Sequence, residues 1–252
     1  MLIKKIQSIH FFPIKGMQGF EKEKCILQKN KLIENDRQFA LIQTPKQRTS
    51  CSTPWLPKTH FKQLVNHPKL AKIGLKLLIT NPLILKIDNF EEQYNLTNHY
   101  RRDAFAKKVG DLSSPKKKLN LSLIEAEKGG LSDTRDQWIS IGATASAEEL
   151  INAFKLDQSY FRFRLNLWIT TNYPFEEFSW VGRKGKIGDA ELEFLSPVGR
   201  CNAINLSAET GQSTNESLPK KMRSYFGHSN LGVFARVIKT GTVNRGDQLI
   251  LA

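Results

Sequence analysis

Cysteine is scarce in this chain, with only three among 252 residues. Three cysteines cannot all pair within one chain, and no CxxC pair or zinc-type Cys/His spacing occurs. These absences exclude a secreted disulfide framework and the common structural zinc sites. We therefore expect a protein of a reducing compartment, the cytoplasm.

Long hydrophobic runs are also missing. No stretch approaches the ~20 uninterrupted apolar residues that a membrane-spanning helix needs. In the first segment, MLIKKIQSIHFFPIKG, polar residues interrupt anything resembling the apolar region of a signal peptide. The sequence therefore predicts no membrane span.

Several catalytic motifs are absent as well. The chain has no GxSxG elbow, no GK[ST] phosphate loop, no GxGxxG fingerprint and no HExxH pair. These absences argue against the common serine hydrolases, P-loop nucleotidases, Rossmann dehydrogenases and zinc proteases. Any chemistry must use a different set of residues.

Positive charge is in excess: Lys and Arg number 38 against 24 Asp and Glu, a formal net charge of +14. Such a surplus is typical of three situations: nucleic-acid binding, an anionic cofactor together with an acidic partner, or a solvated lysine surface. The basic clusters RRDAFAKK, PKKKLN and PKKMRSYF do not alternate aromatic and basic residues as a stacking platform would. Nucleic acid is therefore the least favoured partner.

Apolar–polar alternation and frequent turn residues predict a mainly β, α+β fold with few peripheral helices. LKLLIT and LILKID read as a hairpin joined at Asn81-Pro82, and RFRLNLWI reads as a strand with Arg164, Asn166 and Trp168 on one face. Helices are predicted in NHYRRDAFAKKVGD, ending at Gly110, in SAEELINAF and in LPKKMRSYF. In SAEELINAF, Ser146 and Glu149 have the spacing of a capping box. The strands suggest a barrel or sandwich, and the linker-like GDLSSPKKK predicts domains at residues 1–112 and 113–252.

Two groups of residues could carry chemistry. Arg164 and Asn166 could form a fork for an anion or lie on a plain solvent-exposed strand face. Cys201 follows Arg200, whose charge favours a thiolate that binds a soft metal, although a lone Cys in a strand is commonly a packing residue. The residues themselves leave both alternatives open, and Cys25 and Cys51 are expected to be inert.

Together these pieces resemble a known family. The order of RFRLNLWI, PFEEFSW, GRKGKIGDAELEFLSPVGRCNA, ETG and GTVNRGDQLIL is similar to that of the MOSC domain, which occurs at the C-terminus of molybdenum-cofactor sulfurases. FFPIKGMQGF and ENDRQFALIQ resemble motifs of the MOSC N-terminal β-barrel domain. The whole layout is similar to that of the mitochondrial amidoxime-reducing component and its bacterial relatives. The resemblance implies a β-barrel MOSC domain packed with a smaller β-rich N-terminal domain.

The resemblance also implies chemistry. It implies a molybdenum–pterin cofactor with Cys201 as metal ligand and catalytic residue. The remaining cofactor-binding residues that it implies are Lys15, Arg37, Arg164, Asn166, Arg200 and Ser146. The implied activity is a molybdenum-dependent oxidoreductase that reduces N-hydroxylated compounds. Because the chain holds no Cys cluster for an iron–sulfur centre, electrons would come from a separate, acidic carrier protein.

Two alternatives to this activity remain. The chain could carry sulfur or the molybdenum cofactor for delivery, without turnover of its own, or it could be a nucleic-acid-binding barrel. The chain also departs from the family pattern, with Gly16, Lys31 and Ala143 at positions where the family has Ser, Gly and Ser.

Overall fold

The computed structural model describes residues 3–44, 52–116 and 119–252. Three α-helices lie in this part of the chain: α1 (His99–Ser113), α2 (Thr144–Phe154) and α3 (Leu218–Phe226). Short 3₁₀ helices span Lys58–His60, Pro68–Lys72, Tyr160–Phe163, Glu176–Trp180 and Asn202–Asn205. The strands are β1 (Ile6–Phe11), β2 (Ile14–Lys15), β3 (Phe20–Lys22), β4 (Lys24–Leu27), β5 (Phe39–Gln43), β6 (Ser52–Thr53), β7 (Leu75–Thr80), β8 (Leu83–Ile87), β9 (Gln93–Asn95), β10 (Leu121–Ala126), β11 (Ile139–Ala143), β12 (Leu167–Ile169), β13 (Lys184–Ile187), β14 (Ala190–Gly199), β15 (Asn230–Lys239), β16 (Gly241–Asn244) and β17 (Leu249–Leu251). The mainly β, α+β class predicted from the sequence is confirmed.

The largest sheet has eight strands in the order β17-β13-β14-β15-β11-β12-β1-β3. Its strands β1 and β3 come from the N-terminal segment, and β1 runs antiparallel to β12 with Ile9 opposite Leu167. Strand β4 pairs in the same way with β16 near the C-terminus. The two ends of the chain therefore share sheets, while the boundary at residue 112 stays a prediction. β17 and β3 stand at the two ends of this order, but the backbone N–H of Leu249 in β17 donates to the carbonyl oxygen of Lys4 at 2.8 Å, and an isolated antiparallel bridge joins Lys5 to Gln248. A closed barrel is not assigned among the described strands and stays a prediction.

A second region holds the sheets β2-β5-β10-β6 and β7-β8-β9. The predicted hairpin is confirmed, because β7 and β8 are antiparallel neighbours on either side of Asn81. Helix α1 covers this region, with Phe105 packed against Tyr94 at 5.3 Å between ring centroids. It runs to Ser113 rather than ending at Gly110. A side chain at Gly110 would lie 2.2 Å from the carbonyl oxygen of Leu119, so close chain approach explains that glycine.

Membrane-spanning length is not reached by any helix in the described segments, in line with the sequence prediction. The longest of the three, α1, has 15 residues, below the ~20 that a bilayer requires.

The predicted strand 162–169 is wrong in its first half. The chain forms a 3₁₀ turn over Tyr160–Phe163, and Arg164 takes a left-handed conformation with φ of 54°. Arg162 is drawn into this turn because its guanidinium pairs with Asp157 and donates to the carbonyl oxygen of Ile204 at 2.9 Å. The strand β12 begins only at Leu167.

Within β12 the predicted alternation does hold. Leu167 and Ile169 lie in the core beneath the large sheet, and Trp168 lies in a separate core formed with α2 and α3. All three side chains are fully buried. Burial on both faces is what a central strand between two packed layers requires.

The predicted capping box at Ser146 is also wrong. Helix α2 begins at Thr144, and Ala143 occupies the position before it. The Ser146 hydroxyl donates to Glu177 Oε2 at 2.7 Å and accepts from the backbone N–H of Phe175 at 2.6 Å. Both Ser146 and Glu177 are fully buried. The serine therefore satisfies a buried carboxylate instead of capping a helix.

Candidate functional site

Five of the predicted binding residues meet in one cavity together with Cys201. The cavity has a volume of about 320 Å³. The predicted residues that line it are Cys201, Lys15, Arg37, Arg164, Asn166 and Arg200. Ser146 does not line it. The motifs that carry these residues lie far apart in sequence, so their convergence is a product of the fold.

Cys201 is a free, half-buried thiol directly before the 3₁₀ helix Asn202–Asn205. It lies at the junction of this cavity with a second, larger groove. Cys25 contrasts with it, because that thiol is buried in β4 and burial raises its pKa to about 12. A thiol with so high a pKa is inert at neutral pH. The third cysteine, Cys51, lies outside the described residues.

Arg37 and Arg164 form the most tightly organised part of the cavity wall. The Arg37 guanidinium pairs with Asp36, and Asp36 in turn accepts from the backbone N–H of Phe12 at 2.8 Å. Arg164 donates to the carbonyl oxygen of Met17 at 2.6 Å. Within the described segments, no carboxylate lies within ion-pair distance of Arg164, although its charge is partly buried.

Lys15 and Asp133 form a half-buried ion pair at 2.5 Å on the opposite wall, and Lys15 also donates to the carbonyl oxygen of Leu131 at 2.8 Å. Burial lowers the pKa of Lys15, despite the neighbouring carboxylate. For Asp133, burial works toward a higher pKa, but the charge and hydrogen bond of Lys15 and the charges of Lys58 and Arg37 together outweigh it and lower the pKa to about 2. The Asp133 carboxyl is therefore ionised at neutral pH.

Arg164 and Arg200 are both partly buried, and neither forms an ion pair with a carboxylate among the described residues. Burial and the nearby Arg37 charge lower the pKa of Arg164 to about 9. Burial likewise lowers the pKa of Arg200 to about 10. The Arg200 guanidinium donates to the carbonyl oxygen of Phe163, but its buried Nε has no hydrogen-bond partner. An unpaired buried donor on a cation is costly unless a ligand completes it.

The charges in and around the cavity do not balance. Five cations line it, namely Lys15, Arg37, Lys58, Arg164 and Arg200. The carboxylates that face them are those of Asp36 and Asp133. A bound anion with several acceptor oxygens would offset this surplus.

Asn166 lies in the cavity wall, where its side chain forms hydrogen bonds to residues of two neighbouring strands. Its Oδ1 accepts from the N–H of Ser140 at 3.1 Å and from the Ser140 hydroxyl at 2.9 Å, and its Nδ2 donates to the carbonyl oxygen of His10 at 3.3 Å. These bonds tie β11, β12 and β1 together. Its part in binding a cofactor stays a prediction, as does that of Ser146.

Sequence reasoning missed three residues of the site. Asp36 directly precedes Arg37, so its pairing had a local signal. Phe12 and Asp133 had none, because a ring shared by two distant arginines and an ion pair across 118 positions depend on the tertiary fold.

Comparisons with known proteins agree with this architecture. A family model of the MOSC domain matches residues 127–250. The molybdenum cofactor sulfurase of Drosophila mojavensis is 31% identical over 104 residues, which cover 41% of this chain and 13% of that protein. The molybdenum cofactor sulfurase of Anopheles gambiae is 35% identical over 83 residues, covering 33% of this chain and 10% of that protein. The matched part is thus a small fraction of these relatives' length.

Two crystal structures match this chain at low sequence identity and with TM-scores below 0.5. The YuaD protein from Bacillus subtilis is 12% identical with a TM-score of 0.49, covering 99% of this chain and 96% of that one. YiiM from Geobacillus stearothermophilus is 18% identical with a TM-score of 0.37, covering 45% of this chain and 53% of that one. The family match over residues 127–250 and the order of motifs in the sequence lead to the same conclusion, that residues 127–250 of this chain are a MOSC domain.

Proposed function

We propose that the cavity binds a molybdenum–pterin cofactor and that the protein reduces N-hydroxylated compounds with electrons from a separate carrier protein. The observation that carries this proposal is the union of one accessible thiol with an under-neutralised cluster of cations in a single cavity. The molybdenum cofactor sulfurases among the relatives add support for a link to this cofactor.

The residues present fit such a group. A pterin phosphate is a dianion, and Lys15, Arg37 and Arg164 offer charged donors from three separate segments. Cys201 offers a thiolate, which soft metals prefer. Among the described residues, no three His, Cys, Asp or Glu side chains cluster as metal ligands. A metal held by Cys201 would therefore take its other ligands from the cofactor.

Each residue would then have a defined task. When bound, the cofactor supplies the two-electron and oxygen-atom chemistry. Cys201 would fix the metal at the mouth of the larger groove, where a substrate can approach. Arg200, next to Cys201 and with a buried Nε that is unpaired among the described residues, would place positive charge beside the metal-binding sulfur. Arg37 and Arg164 would hold the anionic end of the cofactor away from solvent.

A second candidate function rests on the relatives. Those that match over 83 and 104 residues are named molybdenum cofactor sulfurases. This chain could therefore carry sulfur or the cofactor on Cys201 and deliver it to another enzyme. The half-buried position of the thiol at a groove is compatible with such a hand-over.

One experiment tests both candidates. The protein is made in a molybdenum-sufficient host, and its molybdenum and pterin contents are measured by elemental and fluorescence analysis. Stoichiometric molybdenum and pterin are expected, together with turnover of an N-hydroxylated base with a chemical electron donor. Cofactor without turnover would favour the delivery role. Absence of both metal and pterin would refute cofactor binding.

A further inference from the structure

A second groove, of about 760 Å³, opens on Cys201 from the side of α3. It shares Cys201, Arg200, Lys58, Gln63 and Val65 with the cofactor cavity. A molecule lying in this groove therefore has one end beside the Cys201 thiol. Apart from Cys201 and Arg200, the predicted cofactor residues do not line this groove.

The groove is strongly cationic. Lys58, Arg200, Lys220 and Arg223 line it, and its lining includes no Asp or Glu. These cations come from three different segments of the chain, so their common direction is set by the fold. The surplus charge faces the space in front of Cys201.

Helix α3 carries three cations, Lys220, Lys221 and Arg223, which differ in whether they form an ion pair with a carboxylate. Lys221 forms an ion pair with Glu216 at 2.9 Å and does not line the groove. Lys220 and Arg223 have no carboxylate within 4 Å in the part of the chain that the structure describes. The Arg223 guanidinium lies 3.4 Å from the Ser229 hydroxyl, which also faces the groove.

Neutral donors complete the lining. Thr59, Ser217, Ser224 and Ser229 bring hydroxyl groups, and the Ser217 hydroxyl is held by Asn202 at 2.6 Å. Cations mixed with hydroxyls suit a phosphate monoester, which has three acceptor oxygens and a charge near −2 at neutral pH. A neutral base or amidoxime has no group that would use this surplus charge.

We propose that this groove is the substrate entrance and that it selects a phosphorylated substrate, an N-hydroxylated compound that also carries a phosphate monoester. The inference rests on the proposed reductase function and deepens it. The phosphate lies against Lys220 and Arg223, and the N-hydroxyl end extends toward Cys201. The cations and hydroxyls of the groove orient the molecule, while the cofactor cavity supplies the chemistry.

The first test compares two substrates on the full chain loaded with cofactor. The value of kcat/KM is measured with a chemical electron donor for an N-hydroxylated nucleoside and for its 5′-monophosphate. We expect the monophosphate to be preferred by roughly ten- to a hundredfold, the effect of one or two charge-assisted contacts. In the double variant Lys220→Ala/Arg223→Ala, this preference should disappear while kcat/KM for the nucleoside and the molybdenum content stay unchanged. The control variant Lys221→Ala should keep the preference.

A second test does not depend on cofactor or turnover. The full chain made without molybdenum is alkylated with iodoacetate, an anion, and with the neutral iodoacetamide, and the rate at Cys201 is followed by mass spectrometry. Because both reagents react with the same thiolate, the ratio of the iodoacetate rate to the iodoacetamide rate reports the electrostatic potential in the groove through which they reach Cys201. The ratio of the iodoacetate rate to the iodoacetamide rate should be higher for Cys201 than for 2-mercaptoethanol. The double variant Lys220→Glu/Arg223→Glu should lower this ratio about five- to tenfold. The buried Cys25 serves as an internal check that the chain is folded.

The outcomes separate the two proposals. If neither nucleoside turns over but the alkylation ratio responds as expected, the reductase function fails while the anion-selecting groove stands. An alkylation ratio that is unchanged in the variants overturns the groove. Equal kcat/KM values for the nucleoside and the monophosphate also overturn the phosphate-selecting groove. The groove is likewise overturned if the Lys220/Arg223 variant impairs only the reaction with an acidic carrier protein, because α3 would then serve protein docking.

Discussion

The guanidinium of Arg37 donates a hydrogen bond to the carbonyl oxygen of Arg164, with 2.8 Å between the nitrogen and the oxygen. Both residues have left-handed backbones, with φ of 52° and 54°. Both guanidinium groups also lie over the ring of Phe12, at 4.9 Å and 4.4 Å from its centre. Two like charges are thus held on one aromatic ring, in a conformation that is rare for residues with side chains. Such strain and repulsion are typical of a site arranged for a ligand.

Arg164→Ala should weaken cofactor retention. The variant removes a charged donor, and a contact of this kind is worth about 1.5–3 kcal/mol. Retention under dilution should fall by roughly one to two decades, with a modest loss of fold stability. The measurement is molybdenum per chain after serial dilution and gel filtration.

The matched control for Arg164 is Arg236→Ala. Arg236 forms an exposed ion pair with Glu193 on β14 and does not line the cavity. Its removal should leave molybdenum content intact. Equal retention in both variants would return Arg164 to a structural role.

Cys201→Ser should abolish molybdenum retention, because a hydroxyl is a poor ligand for a soft metal compared with a thiolate. Cys25→Ser is the control, since its thiol is buried in β4 and does not line the cavity. That variant should keep its metal. Full molybdenum in the Cys201 variant would disprove the ligand assignment.

The sequence could predict which residues meet but not how they are held. The resemblance to a known family implied that Lys15, Arg37, Arg164 and Cys201 share one site, and the structure brings them to one cavity. The alternation of RFRLNLWI nevertheless suggested a strand, since a period of two cannot reveal the turn at Arg164. Arg162 in this turn pairs with Asp157 five positions earlier and also donates to the carbonyl oxygen of Ile204, 42 positions later. The second contact depends on the tertiary fold, and the local pattern does not encode it.

Ser146 shows a second limit. Its spacing to Glu149 fits a capping box, yet its hydroxyl is used by Glu177, 31 positions away. Gly16 shows the opposite case, in which the structure explains a departure from the family pattern. Its φ is +80° and a side chain there would lie 3.1 Å from the carbonyl oxygen of Lys62, so the serine of the family would be strained.

Stability should fall as the pH drops from 6.5 to 4, partly because of His10. The ring is buried and stacked on Phe161 at 4.1 Å, its Nδ1 has no partner, and burial lowers its pKa from 6.5 to about 4. Between these values the unfolded chain binds the proton and the folded chain does not, so acid favours unfolding. The full contribution is about 3 kcal/mol, since one pKa unit corresponds to about 1.4 kcal/mol.

The variant His10→Phe isolates this effect. It retains a ring to stack on Phe161 and removes the titrating group. Urea unfolding at several pH values should show a shallower decline for the variant between pH 6.5 and 4. The buried Glu177, whose pKa is raised by burial, acts in the opposite direction in both proteins and cancels in the comparison. Parallel curves for the two proteins would contradict the prediction.

The net charge of +14 leads to the last prediction, which concerns the electron donor. If an acidic carrier protein delivers electrons, its encounter with this surface is steered by charge, and activity with that carrier should fall steeply as salt rises. Activity with a small neutral reductant should hardly change, because screening over ~8–10 Å at physiological salt affects the approach of two proteins more than chemistry inside a cavity. The measurement is kcat/KM for each reductant across a salt series, with substrate held constant. Identical salt dependence for the two reductants would indicate that the lysines serve solubility and would argue against an acidic partner. Tight, salt-sensitive binding to random DNA by protein that lacks metal would instead favour a nucleic-acid partner.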